Sequence, residues 1–119
     1  MSTTEEVLDA LSAASRAGDR EAIRALFAAD GAFWSGTELH QGPDAAADAL
    51  VATFRLLATA AVERVRRFVQ GEEAYAEFVL TGTTHDGQDV RAHYCDYVHV
   101  RDGKILLKST FHKAPTAPR

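Results

Sequence analysis

The chain has 119 residues, a size that supports one domain around one hydrophobic core rather than two. Hydrophobic residues make up 46% of it and charged residues 25%, which is the balance of an ordinary globular protein. The net charge of −4 and the lack of a clustered basic face argue against nucleic acid as a partner, and no apolar stretch approaches the length of a membrane span.

The single cysteine and the first residues bear on where the protein works. Cys95 cannot form an internal disulfide, which suits a reducing compartment. The segment Met1–Glu6 has no basic region leading into an apolar run, so it does not have the pattern of a secretory signal. We therefore expect a cytoplasmic location.

Two helices are predicted at the start of the chain. Apolar residues recur at helical spacing over residues 5–17, and Gly18 suits the left-handed position that follows a last helical turn. Asp19 can cap a second, short helix whose apolar stripe ends at Phe27. We expect Asp30-Gly31 to turn the chain into a short strand over residues 32–35, followed by a polar loop.

A third helix and a series of strands come next. Gly42-Pro43-Asp44 is typical of a helix start, because proline fits the first turn and an aspartate complements the helix dipole. From Val62 onward the apolar period becomes two, which predicts strands. Asp-Gly pairs at residues 86–87 and 102–103 predict hairpin turns that join the last three of these strands. Residues 114–119, with two prolines, are expected to be a frayed tail.

This order of elements predicts the fold class. Helices that precede a run of antiparallel strands indicate an α+β protein. We expect one domain over residues 1–119, shaped as a cone, with three N-terminal helices packed on a curved, mainly antiparallel sheet. Such a sheet would enclose a pocket at the open end of the cone.

The strand predicted over residues 90–100 contains an unusual carboxylate. Because side chains alternate between the two faces of a strand, Asp96 shares its face with Tyr94 and Val98. Carboxylates are rarely buried without a partner. Asp96 is therefore either a structural residue hydrogen-bonded in the sheet or a functional acid or base.

Four segments resemble the nuclear-transport-factor-2-like superfamily, in the branch of SnoaL-like polyketide cyclases and ketosteroid isomerases. They are the residues 17–31, residues 40–45, Cys95–Ile105 and Ser109–His112, which follow one another in the order of that family. The resemblance spans nearly the whole chain and implies the family's fold. It implies less about function, because the same fold carries isomerases, cyclases, epoxide hydrolases, dehydratases and non-catalytic domains.

Of the three catalytic positions of the ketosteroid isomerases, only one has a matching residue in this sequence. Asp96 occupies the position of the aspartic acid that donates a hydrogen bond to the substrate oxyanion. The position of the general base falls at or near Gly36, and that of the oxyanion tyrosine falls near Leu11. With both groups missing, steroid isomerisation by that mechanism is not expected. An aromatic position of the last strand falls on His112.

The resemblance implies that the strand face bearing Asp96 looks into the pocket, and this defines the candidate site. The catalytic candidates are Asp96 as acid or base, His112 as its partner and Tyr94 as a hydroxyl donor. The candidate ligand-binding residues around them are Trp34, His40, Phe54, Tyr75, Glu77, Val79, Val98, Lys108 and Thr110.

No metal ion or cofactor is expected. His93 and His99 share a strand face but lie too far apart along it to bind one ion, and no compact cluster of cysteine and histidine exists. On the convex face of the sheet, Cys95, Tyr97 and His99 are expected to form the interface of a homodimer, because members of this family often pair through the sheet.

Two functions remain open. The first is a cofactor-independent enzyme that isomerises or cyclises a hydrophobic carbonyl compound of polyketide or terpenoid type. The second is a non-catalytic dimeric protein whose pocket binds a hydrophobic ligand or a partner. An epoxide hydrolase of the type that holds water with Asp, Arg and Asn is disfavoured, because the sequence contains no asparagine. The surroundings of the Asp96 carboxylate should distinguish the first two.

Overall fold

The computed structural model describes residues 2–113 and has three helices and six strands in that range. The helices are α1 (Thr4–Ala17), α2 (Arg20–Leu26) and α3 (Pro43–Arg55), and the strands are β1 (Phe27–Trp34), β2 (Leu39–Gln41), β3 (Leu57–Gln70), β4 (Glu73–Thr84), β5 (Asp89–Arg101) and β6 (Lys104–His112). The predicted tail at 114–119 lies outside the described residues.

The ends of the first two helices follow from their capping residues. Thr3 and Glu6 form a capping box at the start of α1, each side chain accepting a hydrogen bond from the other's backbone N–H. Gly18 ends α1 in the left-handed conformation, with φ of 64°. Asp19 then caps α2 by accepting a hydrogen bond from the backbone N–H of Ala22. The predicted roles of Gly18 and Asp19 are confirmed, and the capping box is a further feature that the structure adds.

The six strands form one sheet in the order β2-β1-β6-β5-β4-β3. Every neighbouring pair is antiparallel except β1 and β6, which run parallel. The strands β3 to β6 are connected in sequence by tight turns, as the hairpin signals predicted.

The first strand is longer than its sequence indicated. Asp30-Gly31 does not turn the chain but lies inside β1, and the second helix ends at Leu26 before Phe27. The pairing of β1 with β6 is irregular between Phe27 and Ala32, so the two residues sit at a break in the ladder. The turn prediction was wrong because this irregularity lets an Asp-Gly pair stay within a strand.

Three further boundaries differ from the prediction. Residues 39–41, expected in a loop, form the short edge strand β2 against β1. Helix α3 ends at Arg55, and β3 already begins at Leu57 rather than at Val62. The alanine-rich start of β3 carries no alternating pattern, which is why its sequence resembled the end of a helix.

The helices lie over one face of the sheet, called here the inner face. The core between them consists of Val7, Leu8, Leu11, Ala14, Ile23, Phe27, Phe33, Ala46, Ala47, Leu50, Val51, Ala74, Val98, Val100 and Ile105. Because paired residues of neighbouring strands point the same way, the cross-strand register shows that Asp96, Thr110 and Ala76 share the inner face.

The predicted α+β fold of three helices on a mainly antiparallel sheet is thus confirmed. Among the described residues, no helix is long and apolar enough to cross a membrane.

Candidate functional site

A cavity of about 480 Å³ opens between the helices and the inner face of the sheet. Helices α1 and α3 form one wall and strands β3 to β6 the other. Its lining residues are Leu8, Asp9, Leu11, Ser12, Ser15, Arg16, Leu50, Phe54, Val62, Arg64, Arg67, Ala76, Phe78, Tyr94, Asp96, Val98 and Lys108. Cavities of this size, apolar with a few polar groups, are typical of small-molecule sites.

A buried cluster of three polar side chains forms one wall of the cavity. The Oδ1 atom of Asp96 accepts a hydrogen bond of 2.7 Å from the Thr110 hydroxyl, directly across the β5–β6 ladder. The Oδ2 atom lies 3.1 Å from the Nζ atom of Lys108. Asp96 is 6% exposed and Lys108 is 7% exposed. The pair is therefore a desolvated ion pair at the wall of a cavity rather than a surface salt bridge.

Lys108 is held from its other side by an aromatic ring. Its Nζ atom lies 4.7 Å from the centroid of Phe33 on the neighbouring strand β1, a cation–π distance. Nζ also donates a hydrogen bond of 3.3 Å to the Thr110 hydroxyl. The ammonium is thus fixed by a carboxylate, a hydroxyl and a ring.

Tyr94 lies one inward-facing position from Asp96 on β5 and also lines the cavity. Burial, and secondarily the charge of Asp96, raises the pKa of its phenol well above the ordinary value of 10.0. Within residues 2–113 its hydroxyl has no hydrogen-bond partner in the protein. The phenol is therefore a protonated donor that faces the cavity.

The histidine expected beside Asp96 lies elsewhere. His112 pairs with Tyr94 across the ladder, with ring centroids 6.0 Å apart, and it packs over Gly36. It is exposed, and no hydrogen bond joins it to Asp96 in the described part of the chain. The prediction of His112 as the partner of Asp96 is corrected: Lys108, which lies two residues before the directly paired Thr110 on β6, reaches the carboxylate diagonally.

Four other predicted pocket residues lie on the opposite, outer face of the sheet. Tyr75, Glu77 and Val79 alternate with the inward-facing Ala76 and Phe78. Trp34 pairs with Ser109, which in turn pairs with the outward-facing Tyr97. The expected assignment of faces was wrong by one residue on both β4 and β1, and a shift of one residue moves a whole strand's side chains to the other face.

The remaining predicted residues lie on the inner side. Phe54, Val98 and Lys108 line the cavity. Thr110 donates a hydrogen bond to Asp96, which lines it. His40 does not line the cavity; its ring stacks on Phe33 at 5.7 Å between centroids.

Sequence reasoning missed the arginines of the cavity. Arg16 comes from the last turn of α1, and Arg64 and Arg67 come from β3. Arg67 donates a hydrogen bond of 2.7 Å to Asp9, which is the main reason that the pKa of that carboxyl is lowered. Which arginines of β3 face inward depends on a bulge in this strand that the sequence does not reveal.

That bulge brings Arg64 and Arg67 to the same face. The β3–β4 register shifts between Arg64 and Arg66, so Arg64 pairs with Phe78 while Arg67 pairs with Ala76. Phe78 and Ala76 both line the cavity. In a regular strand Arg64 and Arg66 would share a face, but here Arg66 is turned outward to Glu77.

Within residues 2–113, no group of three or more His, Cys, Asp or Glu side chains is arranged to bind a metal ion. The polar groups that the cavity does offer include carboxylate, ammonium, guanidinium and phenol groups.

Sequence comparison assigns the family. The model of the SnoaL-like domain matches residues 7–107, which include Asp96 and every cavity-lining residue except Lys108. The chain belongs to the SnoaL-like domain family. No curated protein sequence matches this chain at a significant level.

Solved structures of SnoaL-like and related proteins share the fold. A protein of Jannaschia sp. CCS1, provisionally described as a SnoaL-like polyketide cyclase, superposes with a TM-score of 0.82 at 16% identity, covering 92% of this chain and 84% of its own. A ketosteroid isomerase-like protein of Catenulispora acidiphila, in complex with trimethylamine, gives 0.79 at 18% identity, covering 89% and 84%. An epoxide hydrolase-like protein of M. tuberculosis gives 0.76 at 20% identity, covering 93% and 84%. At these identities the likeness establishes the fold alone.

Proposed function

We propose that this SnoaL-like protein is a cofactor-independent enzyme that isomerises or cyclises a hydrophobic carbonyl compound of polyketide or terpenoid type by proton transfer. The observation that carries the proposal is the buried Asp96–Lys108 pair in the wall of a cavity that also has apolar side chains such as Leu11 and Phe54. The provisional description of the Jannaschia relative as a polyketide cyclase agrees with this class of substrate.

The contacts of Asp96 favour the role of base. Thr110 and Lys108 each occupy one carboxylate oxygen, and each oxygen keeps a second lone pair that can accept a proton. Because the carboxylate is held by side chains within a cavity, rather than sealed by backbone amides or an arginine, it remains open to a ligand. Asp96 can then remove a proton from the carbon next to the carbonyl group.

Two donors can stabilise the oxygen of the resulting enolate. The Lys108 ammonium lies beside the carboxylate, and the Tyr94 hydroxyl faces the same cavity. Donors fixed in a site of low water content stabilise a developing oxyanion more strongly than the same groups in water. Protonated Asp96 can return the proton to another carbon of a conjugated enolate, which shifts the double bond and is isomerisation. Alternatively, the enolate carbon attacks a second carbonyl group of the same substrate; the new C–C bond closes a ring while that C=O π bond opens to an alkoxide, which takes the proton from Asp96.

The first test is the exchange of the α-protons of 2-tetralone, a bicyclic ketone, followed by NMR in deuterated water. We expect the protein to accelerate exchange, and Asp96→Asn to lose most of that acceleration, by about 100-fold or more. The asparagine keeps the shape of the side chain and its contact with Thr110 but leaves the Lys108 ammonium without its carboxylate, so we expect a less stable protein whose folded state at the assay temperature is verified by circular dichroism.

Glu77→Gln is the matched control. Glu77 lies on the neighbouring strand, but its carboxylate faces outward and pairs with Arg66 at 3.1 Å. Its variant should exchange 2-tetralone at the wild-type rate. Full exchange by folded Asp96→Asn would contradict the proposal and would favour a non-catalytic protein whose cavity binds a hydrophobic ligand.

We also propose that two copies of the chain pair through the outer face that carries Cys95, Tyr97 and His99. Exposed aromatic side chains on the same face support this, among them Tyr75 and Phe111. Cys95 is a free thiol, which suits the reducing cytoplasm that we propose as the place of action.

A further inference from the structure

The cavity has a charge that differs in sign from that of the whole chain. Four cationic side chains line it, and only two carboxylates do, in a chain of net charge −4. The cations are Arg16, Arg64, Arg67 and Lys108, and the carboxylates are Asp9 and Asp96. Both carboxylates are already paired, Asp9 with Arg67 and Asp96 with Lys108.

Arg16 and Arg64 are left without an anion. Among the described residues, neither guanidinium has a carboxylate within 4.0 Å, although Asp9 is near enough for Arg64 to contribute to its lowered pKa. Arg16 lies in the last turn of α1, where the helix dipole also favours a cation. Arg64 lies on a strand, so no helix dipole favours its charge there. The bulge in β3 places it on the inner face together with Arg67.

The two arginines and the ion pair occupy different depths. Arg16 and Arg64 are exposed although they line the cavity, whereas Asp96 and Lys108 are buried. Apolar side chains such as Leu11, Phe54 and Phe78 lie in the same cavity. A ligand that fits this arrangement has an apolar body and an anionic group at its outer end.

We propose that the cavity takes an apolar ring compound bearing a carboxylate, and that Arg16 and Arg64 bind this carboxylate at the rim. Guanidinium groups form paired hydrogen bonds with carboxylates, which fixes the orientation of the ligand as well as holding it. The ring would then extend inward and present its carbonyl group to Lys108 and Asp96. The inference rests on the proposed function, because it names the substrate class of the same cavity.

The test compares two probes of the same size that differ in charge, anthracene-9-carboxylate and anthracene-9-methanol, titrated by fluorescence. We expect the wild-type protein to bind the carboxylate about tenfold or more tightly than the alcohol. The double variant Arg16→Gln/Arg64→Gln should lose this preference while its affinity for the alcohol stays unchanged. Both positions are exposed, so the variant should remain folded.

Arg66→Gln is the matched control, since it removes the same charge from the same strand on the outer face. It should keep the wild-type preference. Equal binding of the two probes by the wild type, binding of neither, an unchanged preference in the double variant or an equal loss in Arg66→Gln would each overturn the inference. Because the probes are not turned over, this outcome is independent of the exchange rate that tests Asp96.

Discussion

The burial of Asp96 and Lys108 is unfavourable in desolvation free energy, because both side chains carry a charge. Removing two charges from water costs several kcal/mol for each ion, and an apolar pair of similar volume is often as stable or more so. The chain nevertheless buries both on adjacent strands, with Thr110 and the Phe33 ring completing their contacts. An ion pair of this kind contributes little to stability, and its position at a cavity supports the proposed role in proton transfer.

Tyr94 gives a prediction about pH. Because burial and the Asp96 charge raise its pKa in the folded protein, the unfolded chain loses this proton first as the pH rises above 10. The stabilisation is therefore complete below about pH 10 and is lost at higher pH, at a rate of at most about 1.4 kcal/mol per pH unit. We expect the free energy of unfolding of Tyr94→Phe to fall less steeply above pH 10 than that of the wild type, measured by urea denaturation.

An ultraviolet titration checks the same group directly. The phenolate absorbance of Tyr94 is the difference between the titration of the wild type and that of Tyr94→Phe. We expect this difference to appear above pH 10. Tyr97 also titrates late, because its hydrogen bond to Glu73 raises its pKa to about 12, but it contributes equally to both proteins and cancels in the difference. A Tyr94 contribution that is complete by pH 10 would contradict the prediction.

At this scale the sequence predicted the centre of the site better than its surroundings. A carboxylate among apolar neighbours on one strand face identified Asp96, because alternation requires no knowledge of the third dimension. The choice between Lys108 and His112 as its partner depends on a diagonal reach across the β5–β6 ladder. Whether a side chain can reach diagonally depends on its length and on the strand register. Lys108 and His112 both lie on the inner face, as the sequence predicted.

At the scale of elements, Gly31 explains how β1 can lie parallel to β6. A Cβ atom at this position would lie 2.5 Å from the carbonyl oxygen of Ile105 and 2.9 Å from that of Ala28. Only glycine allows the two backbones to approach this closely. An Asp-Gly pair is typical of a turn, but here the glycine is required by the close contact between strands.

We therefore expect Gly31→Ala to lower the free energy of unfolding by about 1–3 kcal/mol, measured by urea denaturation. Gly36→Ala is the matched control, because its Cβ would meet only the ring of the exposed His112, at 2.8 Å, and that ring can move aside. Its effect should stay within about 0.5 kcal/mol. Equal stability of the two variants would mean that β1 can shift away from β6 at little cost.

Elements with a strong local signal were predicted well, and those set by distant contacts were not. The caps of α1 and α2 and the hairpins of β3 to β6 depend on residues close in sequence. The strand β2 and the β3 bulge depend on pairing across the sheet. Because the bulge decides which arginines face inward, the positive rim of the cavity was not accessible to sequence reasoning.

At the scale of the whole molecule, the outer face of the sheet carries a row of aromatic side chains. The row crosses five strands and has an aromatic side chain on four of them: Trp34 on β1, Tyr97 on β5, Tyr75 on β4 and Phe68 on β3, with Ser109 on β6 between the first two. Trp34 is 52% exposed and Tyr75 is 53% exposed. Contiguous exposed aromatic surface is characteristic of protein interfaces, and it supports the proposed pairing of two copies.

Tyr75→Asp tests this pairing. Tyr75 lies in the middle of the row, with its ring 5.1 Å from that of Tyr97, so a carboxylate there would be desolvated without a partner in a dimer. We expect the wild type to sediment as a dimer and Tyr75→Asp as a folded monomer. Leu56→Asp, which places the same charge on a 72% exposed apolar residue between α3 and β3, should remain a dimer. If Tyr75→Asp also remains a dimer, the interface lies on another surface, and the aromatic row must be explained by contact with a different partner.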